Sequence, residues 1–208
     1  NLWSSILNDD IIVNININFT SLGPGILGSA SSTTETITYA NYRTALIADA
    51  TSVHDIIATA NLPAGPNLAL YTSSHTSGTP GDPFVDNNNS NNNIFLDLNT
   101  SLSKAVGLRA GNSTVVDASI TFSDLFTWDF DRTDGIAFNA FDFIGVAAHE
   151  IGHALGFRSG ADSVDLTTGA APEGNKQSLD PFRVVTGLDL FRHSAGSIAS
   201  GADLDLRA

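Results

Sequence analysis

The chain has 208 residues, with 9 Lys+Arg against 22 Asp+Glu, a formal charge of -13 and 42% hydrophobic residues. That is enough apolar content for a packed core, and a surface so acidic repels phosphate backbones and anionic lipid, which argues against nucleic-acid and membrane partners. Cys is absent, so disulfides and thiolate metal sites are excluded, and no apolar run is long enough to span a bilayer. Met is absent even from position 1, so the chain is expected to be a processed or excised piece. The Lys-poor, Asn-, Ser-, Thr- and Gly-rich composition points to a secreted, extracellular bacterial protein.

Taken in chain order, residues 11–19 alternate apolar and polar, with Val13, Ile15, Ile17 and Phe19 on one side, the pattern of a half-buried strand. Leu22-Gly23-Pro24-Gly25 breaks it. Thr38 to Asn61 reads as a helix ended by Pro63, and a short strand follows around Leu68–Tyr71. Ser73 to Asn93 reads as a loop, and its tract from Asp86 to Asn93 as a solvated insertion with nothing to pack. Strands are expected at Ile94–Leu98 and Thr114–Ser123. In the second, Val116, Ala118, Ile120 and Phe122 alternate with Asp117, Ser119, Thr121 and Ser123.

Asp142 fits the N-cap of a further helix whose apolar stripe is Ile144, Ala147, Ala148, Ile151 and Leu155, ended by Gly156. After it the chain reads as irregular from 160 to 208, with one element at Asp189–Arg192. The expectation is one domain over 1–208, with a loop insertion near 73–93. Its class is α+β, a mixed twisted sheet with a backing helix.

The chemistry concentrates in His149-Glu150-Ile151-Gly152-His153. Two His four apart on a helix lie one turn above each other, so both rings can reach one ion. Imidazole is a good zinc ligand, and Glu150 would be the general base on a zinc-bound water. The bland alternative is a helix with two surface His and an incidental Glu.

The stretch from Phe141 to Phe157 resembles the active-site helix of metzincin-type zinc peptidases, and Ser119–Ser123 resembles the edge strand on which those enzymes hold extended peptide. The resemblance implies a zincin-like fold, zinc ligands at His149 and His153, the base at Glu150, and a sharp turn at Gly156. It departs where the third ligand should stand, which here is Ser159, and where the Met-turn should be. The H-A-L-G-F wording is similar to leishmanolysin-like enzymes, which delay their third His. A bacterial secreted relative of that kind is implied, with zinc as cofactor and a polypeptide as substrate. His193 is the first in-chain candidate for the third ligand and Asp162 the second, with Asp165 and Asp180 as further acids. Otherwise the ligand lies beyond Ala208.

Asp129-Phe130-Asp131-Arg132-Thr133-Asp134-Gly135 resembles a calcium loop with its third acid and Gly one residue late; a turn rich in capping Asp is the commoner outcome of such a run. His54 and His75 read as structural. Two functions compete. One is a secreted zinc endopeptidase. The other is an extracellular structural or adhesive subunit, self-assembling, on an incomplete domain.

Overall fold

The computed structural model describes residues 2–74, 82–169 and 176–207. His75, Gly78, Pro80, Gly81 and Glu173 lie outside them. The elements run β1 Ile15–Phe19, β2 Gly28–Ser32, β3 Thr34–Thr38, α1 Tyr39–Asp49, α2 Val53–Ala60, β4 Leu70–Ser73, β5 Pro83–Asp86, α3 Asn91–Ile94 and β6 Phe95–Asn99. Then come α4 Thr100–Ala105, β7 Ala118–Phe122, β8 Trp128–Asp129, β9 Phe141–Asp142, α5 Phe143–Ala154, α6 Ala161–Thr168, α7 Ala195–Ser200 and β10 Leu204–Asp205, with short 3-10 helices at Trp3–Ser5 and Leu188–Phe191.

The chain divides into two compact units. The first comprises residues 1–34, 99–105 and 109–157; the second comprises 35–98, 106–108 and 158–208. The class is mixed α+β with open sheets, but the single twisted sheet of a zincin is not formed. Among the described residues the strands make four small sheets, in the orders β1-β7-β2, β10-β4-β5, β3-β6 and β8-β9.

In the first unit β7 is the central strand, parallel to β1 and antiparallel to β2. The expectation that Ser119–Ser123 is an edge strand is therefore corrected; the edges are β1 and β2. Ala118, Ile120 and Phe122 are buried as their alternation implies. Ile17, by contrast, is 65% exposed, because an edge strand is covered less than a central one. Phe122 packs on Phe19, Phe143 and Trp128, and Phe130 on Phe143, which ties the sheet to the start of α5.

Asp117, on the polar side of that alternation, is fully buried. Its carboxylate meets Lys104 Nζ at 2.7 Å and accepts from Thr100 Oγ1 at 2.7 Å and Asn14 N–H at 2.8 Å. Lys104 also donates to Ile12 O. A buried charge is tolerated when paired and hydrogen-bonded in this way.

In the second unit the expected helix over Thr38–Asn61 is two helices. Ser52 and Asp55 form a reciprocal capping box that starts α2 afresh. The Asn tract is packed at its two ends, where Asp86, Asn92 and Asn93 are buried, and exposed in its middle at Asn87, Asn88 and Asn89. Asn93 Nδ2 donates to Leu68 O and Asp86 O, and Asn92 Nδ2 to Asp86 Oδ2. Side-chain amides here satisfy backbone carbonyls between strands, so a polar run packs without apolar surface. Among the described residues after 158 a polar cluster gathers on Asp189, which is fully buried. Asp189 accepts from Ser159 Oγ, Gly160 N–H, and both the N–H and the hydroxyl of Thr186.

Candidate functional site

Helix α5 is held at its end by side chains of the same unit. The last carbonyls of a helix lack intrahelical donors. Here His153 O accepts from Ser32 Oγ and Asn99 Nδ2, each at 3.0 Å, and Ala154 O accepts from Ser101 Oγ at 2.7 Å. Trp3 lies over Gly152, where a Cβ would come 3.1 Å from its ring, and donates from Nε1 to Ala148 O. At the other end Asp142 is paired with Arg132, whose hydrogen bonds hold its carboxyl below the usual range.

The buried face of α5 differs from the expected stripe. Glu150, Gly152 and Ala154 are buried, whereas Ile144 is exposed. Glu150, at 5% exposure, lies against the backbone of β2: a Cβ on Gly28 would stand 2.8 Å from its Oε1. The absent side chain at Gly28 is what admits a carboxylate to this face. Between the Gly25–Gly28 segment and the first half of α5 is an open cleft of about 530 Å³. Its walls are Ile26, Leu27 and Val146, with His149 and Glu150 at the polar end.

His149 and His153 stand one turn apart with their Nε2 atoms 3.0 Å from each other. His153 Nδ1 lies 2.9 Å from Phe157 O. A carbonyl only accepts, so Nδ1 of His153 is the donor, and its Nε2 accepts from Nε2–H of His149. One N–H···N bond therefore joins the two rings.

This arrangement overturns the zinc reading. A catalytic zinc takes three protein ligands and a water. Among the described residues no group of three His, Cys, Asp or Glu could hold a metal ion. Ser159, at the position of the expected third ligand, donates to Asp189 at 2.5 Å. Asp162 is exposed in the first turn of α6, Asp165 accepts from Ser73 Oγ, and Asp180 from Asn88 and Ser90. His193 belongs to the second unit, exposed between the 3-10 helix Leu188–Phe191 and α7, and His54 is exposed on α2. The described residues do not fit a zinc centre. The metzincin and leishmanolysin-like resemblance, the zincin fold and the zinc endopeptidase activity all fall with it.

Calcium at Asp129–Gly135 falls too. Asp129 accepts from the N–H groups of Asp131 and Ala137, and Asp131 from the N–H and hydroxyl of Thr133. The N–H of Thr133 holds the Asp131 carboxyl below its ordinary range. These carboxylates are turned onto their own loop, the Asx-turn outcome.

The sequence did not point to Gly28 or Ser32, because nothing local tells a strand glycine that abuts a helix from one in a turn. No helix among the described residues is long and apolar enough to cross a membrane. Comparison with known proteins finds no matching family model, no similar curated protein and no similar solved structure.

Proposed function

We propose that the chain binds an extended polypeptide segment by strand addition at β2, alongside the cleft that His149 and Glu150 line. The supporting observation is the register of the β2–β7 pair. Antiparallel partners alternate between pairs that exchange hydrogen bonds and pairs that do not. Ser123 N–H donates to Leu27 O and Thr33 N–H to Asp117 O. The bonded positions on this strand are therefore Leu27, Ser29, Ser31 and Thr33, and the backbone groups of Gly28, Ala30 and Ser32 turn to the opposite edge. Among the described residues no strand pairs with that edge.

Unpaired edge groups are a template for another extended backbone, and an adjoining pocket takes its side chains. Ile26, Leu27 and Val146 suit an apolar side chain, Glu150 accepts a ligand N–H, and His149 adds a polar ring beside it. The acidic chain favours segments that carry Lys or Arg.

The test is fluorescence anisotropy with labelled unstructured peptides and the variant Ala30→Pro. Proline deletes the outward N–H of residue 30 without touching a bond to β7, and edge strands tolerate it. The expected result is binding by the parent chain and about tenfold or greater weakening in the variant, the equivalent of roughly 1.4 kcal/mol, with unchanged circular dichroism. Equal affinity of the two proteins, or no binding of any extended peptide, refutes the proposal.

A further inference from the structure

The other edge of the β1-β7-β2 sheet is β1, and it is open as well. In a parallel pair alternate residues of a strand bond to the neighbour. Ala118 N–H donates to Asn14 O and Thr20 N–H to Phe122 O, with Ile17 opposite Ile120. The residues bonded to β7 are therefore Asn14, Asn16, Asn18 and Thr20, and the backbone groups of Ile15, Ile17 and Phe19 turn outward. Among the described residues no strand pairs with that edge, and Asn16 to Phe19 are exposed.

Two features single this edge out. Exposed edges are commonly guarded by charge or proline. Residues 11–34 contain no charged residue, and 11–19 no Gly or Pro, in a chain of formal charge -13. Copies of so acidic a chain repel one another, and a neutral stretch is where two of them can approach. The second feature is self-complementarity. Antiparallel pairing centred on Ile17 is the register that engages every outward residue. It sets Ile15 opposite Phe19 of a second copy and Ile17 opposite Ile17, each pair exchanging two backbone hydrogen bonds. On one face apolar side chains then meet, Ile17 being 65% exposed and Phe19 46%. On the other face Asn16 stands opposite Asn18, amide against amide.

We propose that β1 joins two copies of this chain, paired antiparallel through Ile15–Phe19 about a two-fold axis at Ile17, so that their sheets become continuous. An isologous contact needs a surface that matches itself. The pairing of like with like along β1 is what a second copy supplies and an unrelated strand does not. Ile17 and Phe19 leave water, and the outward backbone groups gain partners. A five-residue strand buries less than the roughly 800 Å² per partner of a standard interface, so the dimer is weak and exchanging, with Kd on the order of 10 µM to 1 mM. The join uses the edge opposite β2, so this proposal and strand addition at β2 can each fail alone.

Sedimentation equilibrium on the full chain, from about 10 µM to about 1 mM, tests it. A monomer–dimer equilibrium is expected, tighter as NaCl is raised because salt screens the repulsion between two acidic copies. Ile17→Lys and Ile17→Glu change an exposed position and set like charges opposite each other at the axis. Each alone should weaken the dimer at least about tenfold, and an equimolar mixture of the two should restore it. Ala30→Pro, on the β2 edge, should leave it unchanged. Amide exchange on the parent chain reads the same contact without mutation: Ile15, Ile17 and Phe19 N–H should be protected in concentrated protein and not in dilute, with Asn16 and Asn18 protected in both. Monomer throughout the range, a dimer that salt weakens, or a dimer lost in Ala30→Pro overturns the proposal. So does undiminished dimerisation of either Ile17 variant, a mixture no better than its components, or exchange at Ile17 that ignores concentration.

Discussion

Replacing Lys104 by Met should be among the most damaging single changes in the first unit. Both partners of the Lys104–Asp117 pair have fully buried side chains. Methionine nearly keeps the volume and the apolar stem but deletes the ammonium. Asp117 keeps its bonds from Thr100 and Asn14 yet loses its counter-charge, and Ile12 O loses its donor. Breaking a buried pair from one side costs about 3–5 kcal/mol. For a chain of this size that lowers Tm by roughly 6–20 °C. Urea denaturation followed by circular dichroism gives the free-energy change by linear extrapolation. The double variant Lys104→Met with Asp117→Asn removes the stranded charge and should recover part of the loss, a coupling that a double-mutant cycle reads directly. A loss below about 1 kcal/mol in the single variant would refute the assignment, since exposed pairs are worth that little.

Gly160→Ala should unfold the second unit or cost more than the roughly 1–3 kcal/mol of ordinary overpacking, because the new Cβ would fall 1.8 Å from Val184 O; a melting curve within 2–3 °C of the parent, roughly the shift of 1 kcal/mol, would contradict this. Burial pushes the Tyr39 hydroxyl up to about 12 and the Tyr42 hydroxyl up as well. A raised folded pKa gives stability that is complete below the unfolded value near 10 and is lost as pH rises through 12, so urea midpoints should fall over that window and fall less in Tyr39→Phe. The depressed pKa of Asp142 works in the opposite sense: the destabilisation caused by Arg132→Ala should be present at neutral pH and vanish as the pH falls through the carboxylate range, as melts of both proteins would record. Limited proteolysis should spare the bonds at Asn92 and Asn93, and early cleavage at those two residues would contradict their buried amides.

What was legible in the sequence was what period and local chemistry carry. The alternation at 114–123 located β7, the cap position at Asp142 located the start of α5, and the spacing of His149 and His153 placed the two rings on one face. What was not legible depends on partners distant in the chain. Glu150 is buried because Gly28, far away in sequence, has no side chain. Asp117 is buried because Lys104 reaches it, and Asn92 and Asn93 because Asp86 and Leu68 present groups to bond. The restart at Ser52 was readable, since a Ser-x-x-Asp box is a local signal, but it was absorbed into one long helical period. The two-unit division interleaves segments, and no composition shift marks its boundaries. The motif at His149–His153 misled because a pair of imidazoles is common to a metal site and to a mutual hydrogen bond, and only the third donor separates them.

The fastening of α5 differs in kind between its two ends. Three side-chain donors hold its last two carbonyls, and Trp3 covers Gly152. The first turn is held by the ring of Phe143, which packs on Phe19, Phe122, Trp128 and Phe130, and by the Arg132–Asp142 pair. Polar bonds fix one end and ring packing the other, and the cleft-lining residues from Gly145 to Glu150 lie between them. A segment laid along β2 would therefore meet a wall already set in place, with no helix to order before it can bind.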